Sequence, residues 1–215
     1  NFDVLFSTLH GGLVSYRYAG KELLKASPRP NFWRAMTDND LGCTFPQSAA
    51  PWRSAGLYAT TKYASGRRVT EYEVSEDENA ITITYTYHLA TIPAKDCFVS
   101  YTVTADGEVR VKQQMEASAE VGELPEFSML FTLDGRQDQL RWYGPGPDET
   151  YMDRCHAKIG VYASTTEDSV AGYLRPQECG NHVDVRWAEL TDAQGAGLRF
   201  ETNGLQFSAL PYSPE

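Results

Sequence analysis

Hydrophobic and polar positions alternate with a period of two along much of the chain. In "AITITYTYHL", Ile81, Ile83, Tyr85, Tyr87 and Leu89 share one face and Thr82, Thr84 and Thr86 the other, the pattern of a strand with one buried face. The run "EVRVKQQMEA" repeats it, with Val109, Val111 and Met115 opposite Arg110, Lys112, Gln114 and Glu116. In "FSMLFTL", Phe127, Met129, Phe131 and Leu133 align, while Leu130 interrupts the polar side and predicts burial on both faces.

Turn chemistry separates these runs. Asp77-Glu78-Asn79, Ala105-Asp106-Gly107, Asp134-Gly135, Gln194-Gly195 and Asn203-Gly204 supply residues that tolerate tight reversals, and Asp-Gly and Asn-Gly are the strongest short hairpin signals. Many strands joined by tight turns predict an all-β fold of antiparallel sheets. One helix is expected over Ser48 to Ala55, with Ser48 as N-cap and Pro51 in the first turn, where its missing N–H costs nothing. Residues 28–66 and 143–187 break the strand pattern and gather most of the prolines, so they are expected to be long loops, where function tends to sit. With no repeat, heptad or composition shift, residues 1–215 read as a single domain.

Composition narrows the function classes. The 215 residues are 41% hydrophobic and 12% aromatic, which excludes a disordered chain. No apolar run approaches the roughly 20 residues of a membrane helix, so no membrane partner is expected. A net charge of −10 without a basic cluster argues against nucleic acid. Cys43, Cys97, Cys155 and Cys179 form no C-x-x-C pair, leaving neither a zinc ribbon nor a redox motif. The opening "NFDVLFSTLHGG" reads as a strand already under way, and "LQFSALPYSPE" stops just after one, so both ends read as cut from something longer.

Three polar constellations remain. The first, "NFWRAMTDNDLG", has Asp38 and Asp40 at calcium-loop spacing, but Gly42 and Ala49 stand where further ligands belong, so no metal is assigned. The alternative is a turn in which Thr37, Asp38 and Asn39 bond local backbone, Arg34 pairs with a carboxylate, and Phe32 and Trp33 anchor the loop on the core. The second, "WYGPGPDETYMDR", is expected to be irregular at Gly144-Pro145-Gly146-Pro147. Its Trp142 and Tyr143 beside Glu149 suit a sugar site, while Arg154 clamping a carboxylate, with Asp148 and Asp153 nearby, is the structural alternative. In the third, "YLRPQECGNHVDVRW", Glu178, His182 and Asp184 with Arg175 and Arg186 either hold an acid–base pair near neutrality or close salt bridges around a turn at Asn181.

These three runs, in this order, resemble the signatures FWRAPTDND, WYGRGPxENYxDR and xxPQENGNHxDVRW of the C-terminal β-sandwich (domain 5, or small chain) of glycoside hydrolase family 2 β-galactosidases. The resemblance implies a galactose-mutarotase-like supersandwich within a bacterial enzyme, cytoplasmic or periplasmic. It places the acid/base and nucleophile glutamates in a preceding barrel, so no catalytic residue is expected here. It also implies partners in the parent's other domains, a β-galactoside at the active-site rim, a homo-oligomeric parent, and any Mg²⁺ or Na⁺ held by other domains, with no cofactor in this one. Gly42 is implied as a hinge near a mobile loop, with Arg34, Asp38 and Asp40 bracing it against the other two motifs.

Four positions depart from the pattern: Met36 for proline, Pro145 for arginine, and Thr150 and Cys179 for asparagine. The two lost amides weaken hydrogen bonding carried over to those positions. The family's final segment, with a tryptophan lining the galactose pocket, is expected to be missing. A rival reading is a carbohydrate-binding module using Trp142, Tyr143, Glu149, Arg175, Glu178 and His182. A third is a mutarotase, for which His182 with Glu178 or His156 is the nominated pair.

Overall fold

The computed structural model describes residues 1–61, 70–116 and 119–214. Its described residues gather into two compact units, one of Asn1–Arg34 and Asn39–Leu133, the other of Ala35–Asp38 and Asp134–Pro214. Strands dominate, and every pairing among them is antiparallel.

The first unit opens with β1 (Phe2–Phe6), β2 (Leu13–Tyr18) and β3 (Lys21–Glu22) in one sheet, followed by β4 (Ala26–Asn31), the single turn α1 (Asp38–Leu41) shared with the other unit, and α2 (Phe45–Tyr58). A four-stranded meander of β5 (Tyr72–Glu76), β6 (Ala80–Leu89), β7 (Lys95–Thr104) and β8 (Val109–Met115) comes next, and β9 (Ser128–Thr132) returns to pair with β4. The β6 alternation is realised from Ile83 onward: Ile83, Tyr85, Tyr87 and Leu89 are buried while Ile81, near the start of the strand, is 53% exposed, and Thr82 and Thr84 pair their hydroxyls with Thr102 and Ser100 of β7, both at 2.8 Å. The buried face meets the first sheet through the Phe6–Tyr101 ring contact (5.5 Å) and the Tyr85 hydroxyl, which donates to Ser7 O (3.1 Å).

Several expectations are corrected. The helix starts at Phe45 with Pro46 in its first turn, so Pro51 lies in its interior. A proline there costs about 3 kcal/mol. Burial of Ala49, Trp52, Ala55 and Gly56 on one face, with Trp52 against Phe32 (5.8 Å), offsets it. In β9, Ser128 to Phe131 are only half-buried and Phe127 is exposed, so neither face is a deep core. The 28–66 stretch contains β4 and both helices rather than a long loop; its residues 62–66 lie outside the described residues, as does Ala117 of the β8 run.

The second unit is one sheet in the order β11-β10-β12-β13, from β10 (Gln139–Gly146), β11 (Lys158–Thr165), β12 (Asn181–Thr191) and β13 (Gly197–Ser208). Leu140, Trp142, Val185, Ala188 and Ala209 form its core, with Tyr162, Leu190, Leu205 and Phe207 packed against them. Gly144-Pro145-Gly146 is the regular end of β10, not an irregular loop. The glycines are there for close packing: a Cβ on Gly144 would lie 2.9 Å from Val185, and one on Gly146 2.7 Å from the Tyr162 ring. Asn203-Gly204 also makes no hairpin. It falls inside β13, where Thr202 to Gly204 bulge opposite Arg186, and Gly204 supplies the positive φ of 73°.

Candidate functional site

The first motif is divided between the units. In the first unit Phe32 and Trp33 are buried, and Asn31, 3% exposed, fixes the strand end by donating from Nδ2 to Trp33 O (2.8 Å) and Ser128 Oγ (3.1 Å). Arg34 lies over the Phe45 ring and bonds Asp40, Nη1 to Oδ2 at 2.6 Å, with both side chains mostly buried. Beneath them Glu126 bonds Ser128 and Asn31; burial pushes its carboxyl above the usual range, against these bonds and the Arg34 charge. No periodicity or motif marked Glu126 in the sequence.

In the second unit Asp38 reaches the third motif. Gln177 accepts from the Asp38 N–H (3.2 Å), the Asp38 carboxylate lies 3.8 Å from Arg175, and the Glu178 N–H donates to Met36 O (3.3 Å). The expected brace is therefore split: Asp38 contacts the third motif, while Arg34 and Asp40 pair with each other. Asn39 and Gly42 are exposed, with the Gly42 N–H donating to Asn39 O (3.2 Å).

The second and third motifs are laced together. Thr150, 2% exposed, donates its N–H to Asn181 O (2.7 Å), accepts the Val183 N–H at Oγ1 (3.0 Å), and receives the Asn181 amide at its carbonyl (2.8 Å). The hydroxyl at this position thus takes a structural bond of its own. Glu149 is the organising acceptor: Arg154 Nη2 and the Tyr173 hydroxyl both donate to Oε1, and the Gly180 N–H donates to Oε2 (2.7 Å). Burial pushes the Glu149 carboxyl up, but these three donors outweigh it and hold it below the usual range. The clamp expected of Arg154 exists. Tyr173 and Gly180 complete it, and nothing local to either residue marks that role beyond its place in the third run.

Trp142 and His182 are corrected from surface candidates to core residues. Trp142 is 2% exposed and donates from Nε1 to Pro145 O (3.0 Å). His182, 4% exposed, packs between Trp142 (4.3 Å) and Phe207 (5.3 Å). Burial pushes its imidazole down to about 4, overriding the nearby Glu149 charge, so it is neutral at pH 7 rather than titrating there. Neither ring offers a face to a sugar. Tyr143 is half-exposed beside Trp187 (6.4 Å), with Arg186 over its ring, and Arg186 also bonds Asp184. Arg175, Asp153 and His156 are exposed, Glu178 is half-buried, and Cys179 is buried beside the Tyr212 hydroxyl (3.4 Å). The arrangement ties loops together with an ionised acceptor, and the histidine nominated for acid–base work, His182, lies neutral in the core.

The sequence family described as the β-galactosidase small chain matches residues 1–215. The chain belongs to that family. It is 40% identical to a β-galactosidase of Priestia megaterium over 218 residues, which is 100% of this chain and 20% of that protein. The figures for a β-galactosidase of Lactobacillus delbrueckii subsp. bulgaricus are 40%, with 99% of this chain and 20% of that protein covered. A β-galactosidase small subunit of Latilactobacillus sakei is 33% identical, with 100% of this chain and 75% of that protein covered. The chain thus spans about a fifth of the first two relatives and three quarters of the third.

Proposed function

We propose that the chain is a noncatalytic, galactose-mutarotase-like domain of a β-galactosidase, stabilising the enzyme and shaping the rim of an active site whose two catalytic carboxylates lie elsewhere in the protein. The parent hydrolyses terminal β-D-galactosides such as lactose by double displacement. The observation that carries this reading is the commitment of the motif side chains: Glu149 is held by three donors and His182 lies in the core, neutral, between two rings. Motif side chains committed to loop geometry suit a rim. The parent is a homo-oligomer, and any Mg²⁺ or Na⁺ it uses is held by other domains.

The test is hydrolysis of o-nitrophenyl β-D-galactoside by the chain alone and after the remaining part of the enzyme is added. No turnover alone and turnover on reconstitution is the expected result; turnover by the chain alone overturns it. A binding-module reading draws on half-exposed Tyr143 beside Trp187. Amide shifts at Tyr143 that saturate during a galactose titration would favour it.

A further inference from the structure

Among the described residues, Leu174, at 107% relative exposure, and Met152, at 86%, are two of the most exposed large apolar side chains. Both stand on the same piece of architecture. Met152 lies in the turn closed by Tyr151 N–H to Arg154 O (3.2 Å) and Arg154 N–H to Tyr151 O (2.9 Å). Leu174 directly follows Tyr173, and Arg154 and Tyr173 donate to the same oxygen of Glu149. The loop beneath each tip is therefore anchored through a neighbouring side chain to one carboxylate, which also takes the Gly180 N–H.

Loops fixed in this way lose little further freedom on association, which is what preorganises a surface for docking. Apolar tips on a tethered loop do nothing for the chain that carries them while they face water. Arg175, next to Leu174 and 65% exposed at its side chain, sets a positive charge beside the tip; the Asp38 carboxylate at 3.8 Å is beyond a hydrogen bond.

We propose that Met152 and Leu174 form the surface on which this domain seats against the remaining polypeptide of its β-galactosidase, in an apolar recess there edged by a carboxylate that meets Arg175. The proposal rests on the function proposed above. The occupant is argued from length: the chain covers 20% of the Priestia megaterium enzyme, so four fifths of such a protein has to be placed around it. The relative that is a small subunit, covered over 75% of its length, requires a surface that holds without a covalent link.

The test places the photo-cross-linker benzoylphenylalanine at position 152, 174 or 92 of the full-length enzyme and maps the products by mass spectrometry. Ile92, 92% exposed in the first unit, is the control for exposure alone. Cross-links from 152 and 174 to peptides outside this segment, in clear excess over those from 92, are expected. Links confined to this segment, whether its own or a second copy's, or a yield no higher than at 92, overturn the proposal. Galactoside hydrolysis is read on the unsubstituted enzyme in parallel. An inactive enzyme counts against the proposed function whatever the cross-links show.

Discussion

Asp38 and Asp40 stand two positions apart and are held by different physics. The Asp38 side chain is 55% exposed and 3.8 Å from an arginine that is itself 65% exposed, an arrangement that solvent and salt screen heavily. Such pairs contribute about 0–1 kcal/mol. Asp40 is 14% exposed at 2.6 Å from Arg34, which is 25% exposed, so removing Asp40 takes a short, largely buried ion pair out of the fold. We expect Asp40→Ala to lower unfolding stability by about 2 kcal/mol and Asp38→Ala by less than about 1 kcal/mol. Urea denaturation of the two variants checks this, and equal losses would refute it. The sequence presented both residues as equivalent braces, because burial is decided by what packs around a side chain and not by its neighbours in the chain.

At the scale of elements, what was legible depended on whether the signal was local. The period-2 face of β6 is a property of the run itself, and it was realised down to the hydroxyl pairs on its polar side. Asn203-Gly204 announces a backbone that wants positive φ, and a bulge uses that as well as a hairpin does, so the signal was sound and the element different. Gly144 and Gly146 were expected to bend the chain, yet they are required by side chains from β11 and β12 that no local pattern reveals. The candidate site divides likewise: Glu149 with Arg154 could be read within one run, whereas Tyr173 and Gly180 reach Glu149 from 24 and 31 positions away. Gly144→Ala tests the packing account, because its new Cβ would meet Val185 Cγ2 at 2.9 Å and Val185 Cα at 3.0 Å. Overpacking of this kind costs about 1–3 kcal/mol. Gly135→Ala meets nothing within 4 Å and serves as the control. It is expected to be neutral or slightly stabilising, by up to about 1 kcal/mol. A Gly144→Ala variant as stable as the control would show that β10 and β12 have room to separate.

For the whole molecule, pH dependence of stability follows from two groups of the second unit that respond in different ranges. His182 titrates at its ordinary value of 6.5 when unfolded and is pushed down to about 4 when folded, so between those values the unfolded chain holds the extra proton and acid favours unfolding. At about 1.4 kcal/mol per pH unit the whole effect is capped at about 3 kcal/mol, of which about 2 kcal/mol falls between pH 7 and pH 5. Glu149 has the opposite charge logic and the same sign. Its carboxylate is favoured in the fold, so its contribution is present above the ordinary carboxylate range and is lost only as pH falls through the lower folded value. The interval from pH 7 to pH 5 therefore separates the histidine from Glu149, and the Glu126 carboxyl, raised by burial in the first unit, is common to wild type and variant. His10, His88 and His156 are common to wild type and variant, so they cancel in the comparison. We expect His182→Gln, whatever its stability at pH 7, to lose about 2 kcal/mol less than wild type over this interval, read from urea midpoints at the two pH values. Parallel losses in the two proteins would mean that the imidazole gains a proton without leaving the core, and the neutral, stacked histidine would have to be abandoned.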